Sequence, residues 1–304
     1  MTRPLTVACL AGDGVGPELM GQATRALSHV AKLHSVAVDE MHLPFAGEGI
    51  TQSGHSLPQS TRSAYRRADA ILVALPQESA LEGVKADLEL VWRVTSIRVW
   101  PAGDVLVVGP AGPGSEEVAI ARAFEAAASR RGRVTAVGSS PSWLRLVEVE
   151  HAEWGGMSVE HLTVGESLAA MGATPLELDV VVTEAHLVAA IADAGAHLFG
   201  SPSSVAHAWL AESGPGVFAP GVSDSAEVAG LGVADPTAML LTASLLLSEG
   251  LKRRAPARTL ERAVEAVANG DGSKPDGTRS FTDAVIELMP RARTDVELFD
   301  GVWK

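Results

Sequence analysis

The chain has 304 residues, a formal net charge of −13, 46% hydrophobic residues and a single cysteine. That composition belongs to a globular protein with ample core, and it excludes a disordered tail or a disulfide-stapled scaffold. An acidic surface repels phosphate backbones, which excludes nucleic acid as the expected partner.

Leu5 to Leu10 is an apolar run that predicts a buried strand, with Cys9 inside it as a core residue and not a nucleophile. No charged-then-apolar leader precedes it. The loop Gly12 to Gly16 follows, and Pro17-Glu18 opens a helix through Lys32. Gly12, Gly14 and Gly16 could cradle an anion or simply make a tight turn. Their spacing is not the dinucleotide fingerprint, and Pro17 removes one donor. Strands are expected at Val36–Asp39, Ala70–Leu75, Val105–Val108 and Val134–Val137, with helices at Leu57–Ala68 and Glu116–Arg131. The basic groups Arg130, Arg131, Arg133 and Lys252 to Arg254 read as solvated helix ends.

Farther on, Ser158–Val164 and Asp179–Thr183 read as strands, and Glu166–Met171 and Glu184–His197 as helices. Thr237–Leu251 is apolar on nearly all faces, which predicts a helix buried at a subunit or domain interface. Its apolar stretch is too short, and too interrupted by Thr242 and Ser244, to span a bilayer, so a soluble, cytoplasmic protein is expected. Leu260–Ala268 is amphipathic, 269–278 a loop, and Ser280–Met289 ends the core. Strands alternating with helices predict an α/β fold with much parallel sheet.

Leu10-Ala-Gly-Asp-Gly-Val-Gly-Pro-Glu18 resembles the opening of the isopropylmalate and isocitrate dehydrogenases, the β-hydroxyacid oxidative decarboxylases. Further segments follow in the family's order. They are Phe45-Ala-Gly-Glu-Gly-Ile50, Gly54-His-Ser-Leu-Pro58, Arg67-Ala-Asp-Ala-Ile-Leu-Val-Ala74, and the stretch from Ala119 to Thr135. Asp179-Val-Val-Val-Thr-Glu184, Ala229-Gly-Leu-Gly-Val-Ala-Asp-Pro236, Lys274-Pro-Asp-Gly277 and Thr282-Asp-Ala284 continue it nearly to the end of the chain.

The resemblance implies an isopropylmalate dehydrogenase-like homodimer, each chain with two open α/β domains around a central cleft. One domain would be 1–98 with 220–304, the other 99–219. It also implies NAD, a Mg²⁺ ion held by aspartates, a lysine and a tyrosine that move protons, and arginines that bind substrate carboxylates.

Against that pattern the chain departs at most functional positions. No lysine occurs between Lys85 and Lys252, and the only tyrosine, Tyr65, lies far upstream of the family's tyrosine arm, which is shortened here to Ala111-Gly-Pro-Gly114. The family's arginine aligns with Trp100, leaving Arg98, two positions away on the same strand face, as its substitute substrate residue. The strand that ends Arg-Glu in the family reads Val107-Val-Gly-Pro110, and the lysine-bearing stretch reads Gly138-Ser-Ser-Pro141. Two metal aspartates align with Gly165 and Ala189, and only Asp193 remains as a metal ligand.

The cofactor-binding positions map to Gly14, Ser223, Asp224, Ser225, Glu227 and Asp235. Extra negative charge there disfavours a dinucleotide. Glu184, His186 and Asp193, with His197 nearby, are the candidates for a new acid–base or metal site, if they are not ordinary polar positions on an exposed helix. Ser139, Ser140 and Ser142 with His151 or His161 form no recognisable nucleophile elbow, and Trp100, Trp143 and Trp154 read as packing. The expectation is a family member without oxidative decarboxylation: a non-catalytic homologue, partner subunit or small-ligand binder. A repurposed cleft enzyme and a divergent NAD-dependent dehydrogenase of a small hydroxy acid are the alternatives.

Overall fold

The opening apolar run forms β1 (Leu5–Leu10), with Val7, Ala8, Cys9 and Leu10 all buried in a computed structural model that describes residues 3–75, 78–99, 103–199, 204–221, 226–270 and 275–302. α1 (Gly16–Leu33) starts where Pro17 and Glu18 predict, and buries the stripe Leu19, Ala23, Leu27 and Val30. Then follow β2 (Val38–His42), α2 (Gly47–Ser53), α3 (Gln59–Tyr65), β3 (Ala70–Val73) and α4 (Glu78–Ala86).

A middle section carries β4 (Trp92–Val99), β5 (Gly103–Pro110), α5 (Glu116–Ala128), β6 (Arg133–Val137), α6 (Pro141–Glu153), β7 (Ser158–Leu162), α7 (Val164–Ala173), β8 (Val180–Thr183), α8 (Val188–Leu198) and β9 (Val205–Leu210). The chain closes with β10 (Gly216–Pro220), α9 (Thr237–Leu245), α10 (Arg254–Ala268) and α11 (Thr278–Val302). The fold is α/β, and it divides into two compact units, Met1–Glu89 with Ser213–Lys304, and Leu90–Glu212. Both joins fall earlier than 98/99 and 219/220, because β4 pairs along its length with β5 and β9 and so belongs to the second unit.

In the first unit β2, β1, β3 and β10 are neighbours in that order and all parallel. α1, α9, α10 and α11 pack on one another, and every residue of α9 is buried. The helix expected at a subunit interface is therefore enclosed by α1, α10 and β10 of its own unit, which removes it as a route to a dimer. Its polar interruptions are answered internally: Thr242 Oγ1 donates to the Ala238 carbonyl and Ser244 Oγ to that of Ala257. α9 runs into a wider turn over Leu246–Gly250, so regular α-helix stops short of Leu251.

In the second unit the order is β9, β4, β5, β8, β6, β7. β4 is antiparallel to both neighbours; β5, β8, β6 and β7 are parallel. Ile97, Val105, Val107 and Val181 share one face and pack with Met171 of α7 and Val188 and Ile191 of α8. By alternation Val180 and Val182 face the other way, toward α5, which packs on β5, β6 and β8.

At the start of β5 and β8 lies an ion network that contradicts the reading of Arg130 and Arg131 as solvated helix ends. Arg130 donates to Asp179 at 2.7 Å and to both oxygens of Asp104 at 2.9 and 3.0 Å, while the Arg131 backbone N–H reaches Asp179 at 2.9 Å. Asp179 is fully buried, so these donors replace the water it lost.

Candidate functional site

Parallel sheets place ligand-binding groups at the carboxyl ends of their strands. In the second unit three ends lie level, because Val108 pairs with Val182 and Val137 with Thr183. They deliver Gly109, Gly138 and Glu184 to one edge of the sheet. A Cβ on Gly109 would sit 2.3 Å from Val188 Cγ2 and 2.7 Å from the Thr183 carbonyl oxygen, so a neighbour already fills the place of a side chain. A Cβ on Gly138 would sit 2.9 Å from Trp143 Nε1 and 3.0 Å from Glu184 Cγ.

Glu184 faces the start of α6. Its Oε1 accepts from the Ser140 hydroxyl, and from the Ser140 backbone N–H at 3.3 Å. Ser140 is the N-cap of that helix, its Oγ accepting from Trp143 N at 3.4 Å, and Pro141 follows at the first helical turn. A carboxylate at a helix N-terminus is favoured by the exposed N–H groups and the helix dipole. Trp143 is buried and its indole N–H has no hydrogen-bond partner among the described residues.

The other members of the expected constellation do not join Glu184. α8 begins at Val188, so Glu184 and His186 precede it and the helical spacing that would align His186 with Asp193 does not hold. His186 and Asp193 are exposed, and no hydrogen bond links either to Glu184 among the described residues. His197 Nδ1 bonds the Asp193 carbonyl at 2.8 Å, a contact within one helix turn, and both side chains point outward.

Arg98 lies at the wrong end of the sheet. It is buried opposite Asp104 in the β4–β5 register, beside the ion network, and helps hold Asp104 charged. The arginine level with the strand ends is Arg93, opposite Gly109 and Trp209 and about five residues, roughly 17 Å, from Arg98. Its guanidinium lies 5.3 Å from the Trp209 ring centre, and Nη2 contacts His207 Nδ1 at 3.3 Å, which Thr95 Oγ1 also contacts at 3.0 Å. Because Arg can only donate, His207 Nδ1 is the acceptor of that contact. The sequence reading missed Arg93, because Ser96 and Arg98 break the alternation along β4 that would have singled it out. Trp100 lies outside the described residues.

In the first unit the glycine loop has a packing explanation. Gly12 has φ +74° and a Cβ there would meet the Leu75 carbonyl at 2.2 Å, and one on Gly16 would meet that of Ala11 at 2.1 Å. Asp13 accepts from Gly47 N at 3.0 Å, and Gly14 is exposed with φ 58°. Of the remaining cofactor positions, Ser223, Asp224 and Ser225 lie outside the described residues. Glu227 is exposed in a short turn, Ala226–Val228. Asp235 accepts from Thr237 N at 3.0 Å and Oγ1 at 2.5 Å, just ahead of α9.

Tyr65 is enclosed in the same unit, donating to Asp87 at 2.5 Å, and burial followed by that hydrogen bond pushes its phenol above the ordinary range. It stays protonated as a structural group. An open pocket at the end of α1, lined by Ser28, Lys32, Ser35 and Val38 among others, touches none of the expected site residues.

The family's Mg²⁺ needs several carboxylate oxygens around one point. Gly165 and Ala189 stand at two of the aligned positions, and Asp193 faces outward. No group of three His, Cys, Asp or Glu side chains that could hold a metal occurs among the described residues. The residues present do not fit the ion.

Known proteins resemble the chain along most of its length. A sequence model described as isocitrate/isopropylmalate dehydrogenase matches residues 6–88 and 114–285, leaving the β4–β5 hairpin between the two stretches. The 3-isopropylmalate dehydrogenase of Synechococcus sp. (strain CC9605) is 30% identical over 87% of this chain and 91% of its own length. That of Pseudoalteromonas translucida is 29% identical over 94% and 98%. Among solved structures, isocitrate dehydrogenase from Methylococcus capsulatus superposes with a TM-score of 0.78 at 20% identity, covering 94% of this chain and 99% of its own. A β-decarboxylating dehydrogenase from Thermococcus kodakarensis gives 0.80 at 22% identity over 99% of both chains. The sequence model matched over most of the chain and the relative at 30% identity place this chain in the isocitrate/isopropylmalate dehydrogenase family.

Proposed function

We propose that this family member does not perform metal-dependent oxidative decarboxylation and works as a small-ligand-binding, non-catalytic homologue or partner subunit. The observation that carries this reading is the fate of the β8–α8 carboxylates: Glu184 is bonded to Ser140, Ala189 has no carboxylate, and Asp193 is turned outward. Without converging oxygens a hard cation has no seat, and a hydroxyl bound there would lack its Lewis acid. The missing lysine and the commitment of Tyr65 to Asp87 support the same reading on the proton-transfer side. Arg93, fixed beside Trp209 at the level of the strand ends, is the group best placed to hold a ligand carboxylate.

The test is NAD⁺ and NADP⁺ reduction with 3-isopropylmalate and isocitrate, with and without Mg²⁺, beside calorimetric titration of both nucleotides and NADH. We expect no Mg²⁺-dependent turnover with either acid and no metal-dependent change in nucleotide affinity. Metal-dependent NADH formation would end this reading and restore the dehydrogenase. The resemblance further supports a cytoplasmic homodimer, with the exposed face of α8, including Leu198, as the surface available for a second copy. A monomer by light scattering at micromolar concentration would reject the dimer.

A further inference from the structure

The open depression at the end of α1 takes no part in the strand-end site. It measures about 370 Å³ and lies within the first unit, between the last turns of α1 and the edge strand β2. Its floor is apolar: Ala31 is only 2% exposed, and Val36 and Val38 are half-buried. Its rim is polar, with Ser28, Lys32 and Ser35 all exposed. The helix end itself makes no demand on a ligand, because its last four carbonyls are met. Val30, Ala31 and Lys32 accept from the backbone N–H groups of His34, Val36 and Ser35, and Leu33 accepts from Arg293 at 2.8 Å.

Two groups on the rim are not accounted for by the fold. Lys32 forms no ion pair or side-chain hydrogen bond among the described residues, although the chain carries a net charge of −13. Ser35 has φ +56°, the left-handed conformation that closes the helix and that glycine adopts most easily, and its hydroxyl bonds to nothing among the described residues. Ser28 Oγ donates to Glu40 at 2.6 Å, which fixes one carboxylate at the border of the depression.

We propose that this depression binds a small aliphatic monocarboxylate, its carboxylate held by the Lys32 ammonium and the Ser35 hydroxyl and its tail laid on Ala31, Val36 and Val38. The ammonium and the hydroxyl can both donate to one carboxylate. The floor takes apolar area out of water, so a branched tail gains what a bare anion does not. Glu40 repels a second negative charge, which disfavours phosphate. A neutral amide leaves Lys32 unanswered. Glycine at position 35 would relieve the backbone but supply no donor, which gives the strained serine a purpose. This site is separate from the strand ends and does not depend on what binds there.

The experiment is NMR of the full-length protein carrying ¹³C at lysine Cε, titrated at constant ionic strength with isobutyrate, acetate, isobutyramide and inorganic phosphate in turn. The chain has five lysines, and the Lys32 signal is the one lost in Lys32→Met. Isobutyrate should shift that signal saturably in the millimolar range and leave the others in place, with each of the other probes weaker by about threefold or more. Saturation transfer to the isobutyrate methyls reads the variants. Lys32→Met should abolish it. Ser35→Gly should weaken binding about threefold while raising the melting temperature by about 2 °C. Unchanged positions of the remaining lysine signals show that each variant folds.

The proposal is overturned if acetate, isobutyramide or phosphate matches isobutyrate, or if no probe moves the Lys32 signal. It is equally overturned if the other lysine signals move as far as that of Lys32, the result expected for general ion binding. Wild-type saturation transfer in Lys32→Met, or wild-type affinity in Ser35→Gly, would reject the roles given to those two side chains and the site with them.

Discussion

Replacing Gly109 by alanine tests how tightly this strand end is packed. A glycine inside a strand normally costs about 0.5–1 kcal/mol relative to alanine, through unfolded-state entropy, so Gly109→Ala in open space would stabilise the protein. Here the added Cβ lands 2.3 Å from Val188 Cγ2 and 2.7 Å from the Thr183 carbonyl oxygen. Relief needs a shift of more than 1 Å in a side chain that is itself buried, and of roughly 0.5 Å in the backbone of β8, given a carbon–carbon contact distance of about 3.5–4.0 Å. Forcing a methyl into such a core costs about 1–3 kcal/mol, and backbone involvement puts Gly109→Ala near the top of that range.

The assay is urea unfolding of wild type, Gly109→Ala, Val188→Ala and the double variant. Val188→Ala alone should lose about 2 kcal/mol from the buried methyls. In its background Gly109→Ala should cost only about 1 kcal/mol, since the Thr183 carbonyl remains, which gives a favourable coupling of about 2 kcal/mol. A neutral or stabilising Gly109→Ala, or strict additivity in the double variant, would refute the argument that Val188 occupies the place a side chain would take.

Asp179→Ala should cost about 3 kcal/mol in the same assay, because it removes the buried carboxylate that neutralises Arg130 while Asp104 remains as a second partner; a loss below 1 kcal/mol would reject that account. Asp104 is pushed up by burial but pulled down more strongly by Arg130, Arg98 and Arg131, so its folded-state value lies below the usual one near 3.9. Its contribution is therefore complete above that value and lost as pH falls through the lower, folded-state one, and Asp104→Asn should flatten the acid limb of a stability–pH curve below about pH 4. Ala46 has φ 53° and ψ −123°, a conformation that suits glycine, and Ala46→Gly should raise stability by about 1 kcal/mol by calorimetry despite losing a buried methyl. A drop in melting temperature would show that the methyl's packing outweighs the strain.

The parts of the fold legible in the sequence are those where one signal dominates. β1, β3 and β8 are short runs buried on both faces, so nearly every residue is apolar. β4 escaped because Arg93, Ser96 and Arg98 break its apolar pattern, and each of the arginines has a structural partner that a linear reading cannot see: Trp209 for one, Asp104 for the other. α6 was hidden by the small and turn-forming residues ahead of it, although Ser140-Pro141 is an N-cap followed by proline at the first turn, a helix-start signal. The start of α8 was misplaced because Glu184, Ala185 and Leu187 are helix-compatible residues that the structure uses in the turn leaving β8. That single error created the apparent His186–Asp193 pairing.

The same contrast separates the core of the second unit from its strand ends. The strands of the second unit are held by Val105, Val107, Val181, Val188 and Ile191, which meet one another in the core and do not depend on what stands at the strand ends. At the ends, Gly109 is filled by Val188, and Gly138 by the edge of Trp143 and the stem of Glu184. A side chain added at either glycine meets a neighbour already in its place, an overlap that the core would resist. A larger residue at Gly109 or Gly138 would therefore need a paired change, one to introduce the side chain and one to withdraw the neighbour.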